Sequence, residues 1–182
     1  MDLRTEKTKR AVINAFLQLR ASKPLEKITV KELSSLAQIN KATFYLHFRD
    51  IYDLSETLEK DVVRSCLAGI EHPENVLRDT RRFIKELEDS FISNEQLIKI
   101  LFEGSRSSSF LSLFEEEITA VILSAYPDYR PDMEHRMMLT YLIYGGYYTY
   151  FKYCDHGIRP VLGLIEKLSD GIVGLYEEKD EN

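Results

Sequence analysis

Cysteine is nearly absent: the 182 residues hold two, 88 positions apart. A pair so placed builds neither a disulfide framework nor a zinc ribbon. Tryptophan is missing, and proline and glycine together number 13, which excludes collagen-like and low-complexity chains. No apolar segment accompanies the first residues, MDLRTEKTKR, so no secretory leader is read there and a reducing, cytoplasmic compartment is expected. The longest uncharged run that draws attention, Met137–Phe151, has 15 residues, too few to span a bilayer, and no membrane partner is expected. Strand-like alternation never lasts beyond a few residues, and no long repeat is visible. There is no Gly-rich phosphate loop and no Gly-x-Ser-x-Gly. His72, His135 and His156 lack an i, i+4 partner or a cysteine placed for a metal. Asp128, Asp132 and Glu134, beside a proline, read as loop and cap residues. The sequence therefore argues against catalysis and implies no metal and no cofactor.

What is present fits a folded protein of one domain, or a small domain joined to a medium one. Apolar residues make up 44% and charged residues 30%, outside the disordered range. The net charge of −6 hides an asymmetry: residues 1–50 hold ten Lys/Arg and five Asp/Glu, a net of +5, while residues 51–182 carry −11. A basic head on an acidic body suits a nucleic-acid-binding module attached to something that avoids nucleic acid. A solubilising basic face would show the same imbalance.

Helical spacing of apolar residues recurs almost everywhere. The first helix is predicted from about Arg4 to Ala21, burying Val12, Ala15, Phe16 and Leu19, and Lys23-Pro24 ends it. Thr29-Val30-Lys31-Glu32 has the form of a capping box and opens a short second helix. Gln38-Ile39-Asn40 makes a three-residue turn, and Asn40 can cap a third helix from Lys41. Asp50 caps a fourth, with Ile51, Leu54, Leu58, Val62, Cys66 and Ile70 inward. Five more helices follow His72-Pro73. One is striped by Val76, Phe83, Ile84, Leu87 and Phe91. A shorter one, after Ser93-Asn94, carries Leu97, Ile98, Leu101 and Phe102. A third runs from Phe110 to Ala125, a fourth from Pro131 to Tyr153. The last starts at Pro160, with Val161, Ile165, Leu168, Ile172 and Leu175 on one face, and EEKDEN is read as a frayed tail. The expected fold is all-α with about nine helices: a three-helix head, 1–50, and a helical body, 51–182.

The segment Ile28–Phe48, ITVKELSSLAQINKATFYLHF, carries the chemistry. It reads helix, turn, helix around Leu33, Leu36, Ile39 and Phe44. In a helix-turn-helix the second helix lies in the major groove. Its outer face would offer Lys41, Thr43, Tyr45 and His47, donors and a ring suited to phosphates and base edges. Spacing alone serves an ordinary αα-corner with a polar outer face equally well.

Residues 8–56 resemble the amino-terminal domain of the TetR/AcrR family of bacterial transcriptional regulators. That family's pattern is a first helix ending in Leu-Phe, then Thr-Val-x-x-Ile-Ala, Gly-Val-Ser-x-x-Thr-x-Tyr-x-His-Phe and Lys-x-x-Leu. Thr29-Val30, Leu33-Ser34, Ile39-Asn40, Thr43-Phe44-Tyr45, His47-Phe48 and Leu54 stand at its positions. The run Lys23-Pro24-Leu25-Glu26-Lys27-Ile28-Thr29-Val30 is similar to a subgroup with Lys-Pro before Ile-Thr-Val. Three departures stand out: Arg20 replaces an aromatic, Gln38 the turn glycine, and Ile51 a lysine that reaches phosphate. The resemblance implies that Lys41 and Ala42 face bases, that Tyr45 sits in the groove and that Thr43 and His47 hold phosphates. It implies that Thr29 and Lys31 meet the flanking backbone, that Asn40 belongs to the same DNA-binding surface, and that Arg4, Lys7, Lys9 and Arg10 lead into an adjacent groove.

For the body, the uncharged run with its five tyrosines makes a helix apolar all round, which must be covered all round. A central core helix in a monomer would satisfy that, as would a partner helix approaching at Gly145-Gly146. The resemblance implies that the last two long helices of two subunits form a four-helix dimer interface. Leu142, Gly145, Gly146, Thr149, Ile165, Leu168 and Ile172 are its candidates. It also implies a palindromic double-stranded operator and an unknown small-molecule effector. Phe83, Leu87, Phe91, Phe102, Phe114, Ile118, Tyr141, Tyr144 and Tyr148 are candidates for the effector pocket, although aromatics at this spacing also make ordinary core. The acidic body favours a neutral or cationic compound. Glu115-Glu116-Glu117 reads as a solvated face, Cys66 as a buried stripe residue and Cys154 as a helix-end residue. The expected function is a ligand-responsive repressor. Two other readings stay open: a DNA-binding regulator whose body docks a protein partner such as a co-activator, and a small helical enzyme or binding protein with no role on DNA.

Overall fold

Side-chain caps start the short helices where the sequence puts them. The computed structural model describes residues 3–73, 75, 79–102, 106–127 and 133–180. Val76, Asp128, Pro131 and Asp132 fall outside those residues, as do the side chains of Arg4, His135 and Leu175. The described residues form eight α-helices and no strand: α1 Leu3–Arg20, α2 Val30–Leu36, α3 Lys41–Tyr45, α4 Ile51–Ala68, α5 Thr80–Phe102, α6 Ser107–Ala125, α7 Met133–Tyr153 and α8 Ile158–Asp180. Single 3₁₀ turns lie at Leu25–Lys27 and Cys154–His156.

Two boundaries differ from the expectation. The break at Ser93-Asn94 does not exist, and the helices expected on either side are the one 23-residue α5. Ser93 Oγ donates to the Asp89 carbonyl at 2.8 Å and Asn94 Nδ2 to the Ser90 carbonyl at 2.9 Å. These polar side chains thus bond back along the helix instead of capping a new one. The carboxyl end is also longer than expected, because α8 continues to Asp180.

The chain divides into two compact units, and neither is a single stretch of sequence. Unit 1 is 1–62 with 95–108; unit 2 is 63–94 with 109–182. In unit 1, α1 buries Val12, Ala15, Phe16 and Leu19, and α4 buries Ile51, Leu54 and Leu58. Each fully covered large side chain contributes about 1.5–3 kcal/mol. Arg20 is buried too, donating to the Lys23 and Leu101 carbonyls at 3.4 and 3.5 Å. Glu59 is fully buried. Its carboxylate accepts from Arg106 Nε at 3.0 Å, from Arg106 Nη2 and from Ser55 Oγ at 2.7 Å.

In unit 2, Val63, Cys66, Leu67 and Ile70 continue the buried face of the α4 segment, and Phe83 of α5 and Phe110, Leu111, Phe114, Ile118 and Ile122 of α6 are buried as well. Tyr150 of α7 packs with Val161 and Leu162 of α8, bordered by Phe91, Phe151, Cys154, Ile158 and Ile165. Gly69 lets the end of the α4 segment come close to α5: a Cβ there would lie 2.4 Å from Ser90 Oγ. Gly157, with φ 105, turns the chain from α7 into α8, a conformation natural only to glycine.

Candidate nucleic-acid interface and ligand cavity

The helix-turn-helix is held by its own polar residues. Thr29 Oγ1 accepts from the Glu32 N–H at 3.2 Å, starting α2. The return bond of a capping box is not made, because the Glu32 carboxylate is held by Lys23 Nζ at 2.6 Å. Asn40 Oδ1 accepts from the Thr43 N–H at 2.7 Å, starting α3, and also from the Thr43 hydroxyl at 2.8 Å. Asp50 Oδ1 accepts from the Asp53 N–H at 2.8 Å, starting α4. Asp53 in turn accepts from the Arg49 N–H at 2.9 Å and pairs with the Arg49 guanidinium. Those hydrogen bonds from Arg49 hold the Asp53 carboxyl below the usual range.

Gln38 adopts φ 55 in the turn. That is the left-handed conformation a glycine takes without strain, so the substitution is accommodated at a conformational cost of about 1 kcal/mol. Of the expected small core, Leu33 and Phe44 are fully buried and Ile39 is half-buried. Leu36 is not part of it, being 42% exposed at the end of α2. Ile51, at the position of a phosphate-reaching lysine in the resemblance, lies in the core instead.

Turning the α3 segment so that Phe44 and Phe48 go inward leaves the other side in solvent. Lys41, Ala42 and Tyr45 are exposed; Thr43 and His47 are half-buried. Tyr45 is 55% exposed and stands edge-on to Phe44, with ring centroids 5.5 Å apart. Thr29, Lys31 and Asn40 are exposed as well, but Thr29 and Asn40 spend their side-chain oxygens on caps. The Thr43 hydroxyl proton points to Asn40, so donating to a phosphate would require it to rotate. Leu46, 81% exposed, was not singled out from the sequence. The signal for it was there: it lies two residues from each of the buried Phe44 and Phe48.

Unit 2 contains a cavity of about 150 Å³ between α5, α6, α7 and α8. Phe83, Leu87 and Phe91, spaced four apart on α5, share its wall with Phe114 and Ile118 of α6. Four other candidates lie elsewhere. Phe102 is buried in unit 1. Tyr141 and Tyr148 are exposed, because they sit on the outer side of α7. Tyr144 donates its hydroxyl to Glu115 at 3.1 Å, and that bond raises its pKa. Tyr147 and Tyr150 supply the tyrosine lining instead, and burial pushes Tyr147 up to about 12. Glu88 and Ser169 are polar groups in the wall that the apolar stripes did not signal. The acidic run is only partly solvated, since Glu115 meets Tyr144 and Glu117 pairs with Arg64 at 2.8 Å.

The dimer candidates divide as well. Leu142, Gly146 and Ile165 turn inward to the cavity. A Cβ on Gly146 would lie 3.6 Å from Ile165 Cγ2, so the close helix approach occurs within the chain, between α7 and α8. Gly145 and Leu168 are exposed, while Thr149 and Ile172 are half-buried. The outer apolar face comprises Met133, Met137, Tyr141 and Tyr148 of α7 and Leu164 and Leu168 of α8.

No described helix is long and apolar enough to cross a membrane. Among the described residues no three His, Cys, Asp or Glu side chains group as metal ligands. Compared with known proteins, the chain matches no family model, no curated protein and no solved structure.

Proposed function

We propose that this chain is a homodimeric transcriptional regulator of the TetR/AcrR type, a repressor that releases a palindromic operator when a small apolar effector enters unit 2. The observation that carries the reading is the outer face of the 41–47 segment. Lys41, Ala42, Tyr45 and Leu46 stand in solvent on a helix whose start is fixed by Asn40. An exposed leucine and tyrosine beside a lysine contribute little to folding. They suit a groove, where the ammonium meets phosphate or guanine and the apolar groups meet sugar and thymine methyl. One such helix reads few bases, and a two-fold pair reads a palindrome.

The outer stripe of α7 and α8 supports pairing of two copies, since a monomer would leave those methionines, tyrosines and leucines in water. The effector acts through α4, a single helix whose first residues belong to unit 1 and whose last belong to unit 2. A ligand that prefers the form with the two heads wrongly spaced shifts the population off DNA. The outer stripe also fits a protein partner in place of a second copy, and sedimentation of the purified chain separates the two.

The test is a mobility shift on the DNA flanking the chain's own gene, with Tyr45→Ala beside the parent protein. The expected result is a specific complex for the parent that weakens steeply with salt. Tyr45→Ala should lose it while keeping helicity and oligomeric state. A variant that still binds and footprints normally overturns the site assignment, and a parent that ignores every fragment at low salt overturns the function.

A further inference from the structure

The cavity wall is almost wholly hydrocarbon, yet it contains a carboxylate. Glu88 lies on α5 between Leu87 and Phe91, and its Oε1 is shut off from solvent with no hydrogen-bond partner among the described residues. Leaving a buried oxygen unsatisfied costs about 1–3 kcal/mol, so a side chain kept there solely for packing would be better apolar. We propose that this cavity takes an organic cation: a compact amine whose ammonium group pairs with Glu88 while its apolar body fills the aromatic chamber. The proposal rests on reading the cavity as the effector site and adds the charge that the effector carries.

Three further features agree. The chamber is walled by ring faces and edges, with Phe91 and Tyr150 centroids 4.8 Å apart and edge-on, and Phe110 and Tyr147 stacked at 5.2 Å. The faces of such rings attract cations as well as hydrocarbon. The charges around Glu88 are mostly negative: Asp89 on α5 and Glu166 on α8, against Lys85 on α5. Burial first, and then those two carboxylates, push the Glu88 pKa up to about 7. A bound ammonium would reverse that and hold Glu88 ionised. The volume of about 150 Å³ suits a body of roughly one ring, since an apolar cavity of about that size accepts benzene.

The experiment is calorimetric titration of the full chain with three probes of matched shape: 2-phenylethylamine, 2-phenylethanol and 3-phenylpropionate. The amine should bind about tenfold or more tighter than the alcohol, as a charge-assisted bond requires, and the acid weakest. In buffers of different ionisation enthalpy, amine binding at pH 7 should release about half a proton, because Glu88 is then about half protonated beforehand. Glu88→Gln should remove the preference, bringing amine and alcohol affinities to within about twofold of each other. An alcohol that binds the parent chain as tightly as the amine, or a Glu88→Gln protein that keeps the preference, overturns the cation assignment and leaves the cavity reading standing. Failure of all three probes to bind overturns the cavity reading and the cation with it.

Discussion

Asn40 grips Thr43 twice, through the backbone N–H at 2.7 Å and through the hydroxyl at 2.8 Å, on one carboxamide oxygen. The double contact fixes the first turn of a helix only five residues long. Such a helix has no stability of its own, so its cap decides whether the 41–47 face is presented at all. Asn40→Ala should lower unfolding free energy by about 1 kcal/mol, measured by urea denaturation, and should speed hydrogen exchange at the Thr43 amide.

Gln38 occupies a glycine's conformation. Gln38→Gly should therefore stabilise the protein by about 0.5–1 kcal/mol, and Gln38→Val should destabilise it by more than that, since β-branching crowds the left-handed region. Urea midpoints of the two variants check the opposite signs.

Glu59 and Arg106 form an ion pair with the carboxylate wholly inside unit 1. Removing one partner strands the other. Arg106→Met alone should cost about 3–5 kcal/mol, whereas Arg106→Met with Glu59→Leu should recover much of that loss. The check is a double-mutant cycle of thermal unfolding. A single variant as stable as the double would show the pair to be uncoupled.

Glu88 gives stability a pH dependence opposite to that of a salt-bridged carboxylate. Its folded pKa is about 7 against an ordinary 4.5. Between those values the folded chain holds a proton that the unfolded chain has lost. Stability from this group is full below about pH 4.5, falls as pH rises to about 7, and is level above. Glu88→Gln should lack that slope and be the more stable protein above pH 7, by on the order of 2 kcal/mol. The difference should vanish as the pH is lowered to 4. Thermal melts of both proteins across that range decide it.

The head was legible because its instructions are local. Thr29, Asn40 and Asp50 each sit three residues before the amide they cap, and the stripe Val12, Ala15, Phe16 and Leu19 is a matter of helical period. The same locality misled at Ser93-Asn94. Cap-forming side chains there have a second option, bonding to the preceding turn, and the neighbouring packing takes it. Leu36 misled in another way: a short helix has too few residues for its period to say which end leaves the core.

The sequence by itself determined an all-helical chain, the starts of its short helices and the inward rows of its long ones, since spacing and capping act over three or four residues. Only the tertiary structure decided which apolar residue faces a cavity and which faces water. Tyr147 and Tyr148 are adjacent and chemically identical, and just one of them lines the chamber. It also decided that Glu59 meets Arg106, 47 residues away, and that Glu88 Oε1 finds no hydrogen-bond partner among the described residues. Burial and electrostatic pairing depend on what distant segments bring alongside, and no local pattern carries that information.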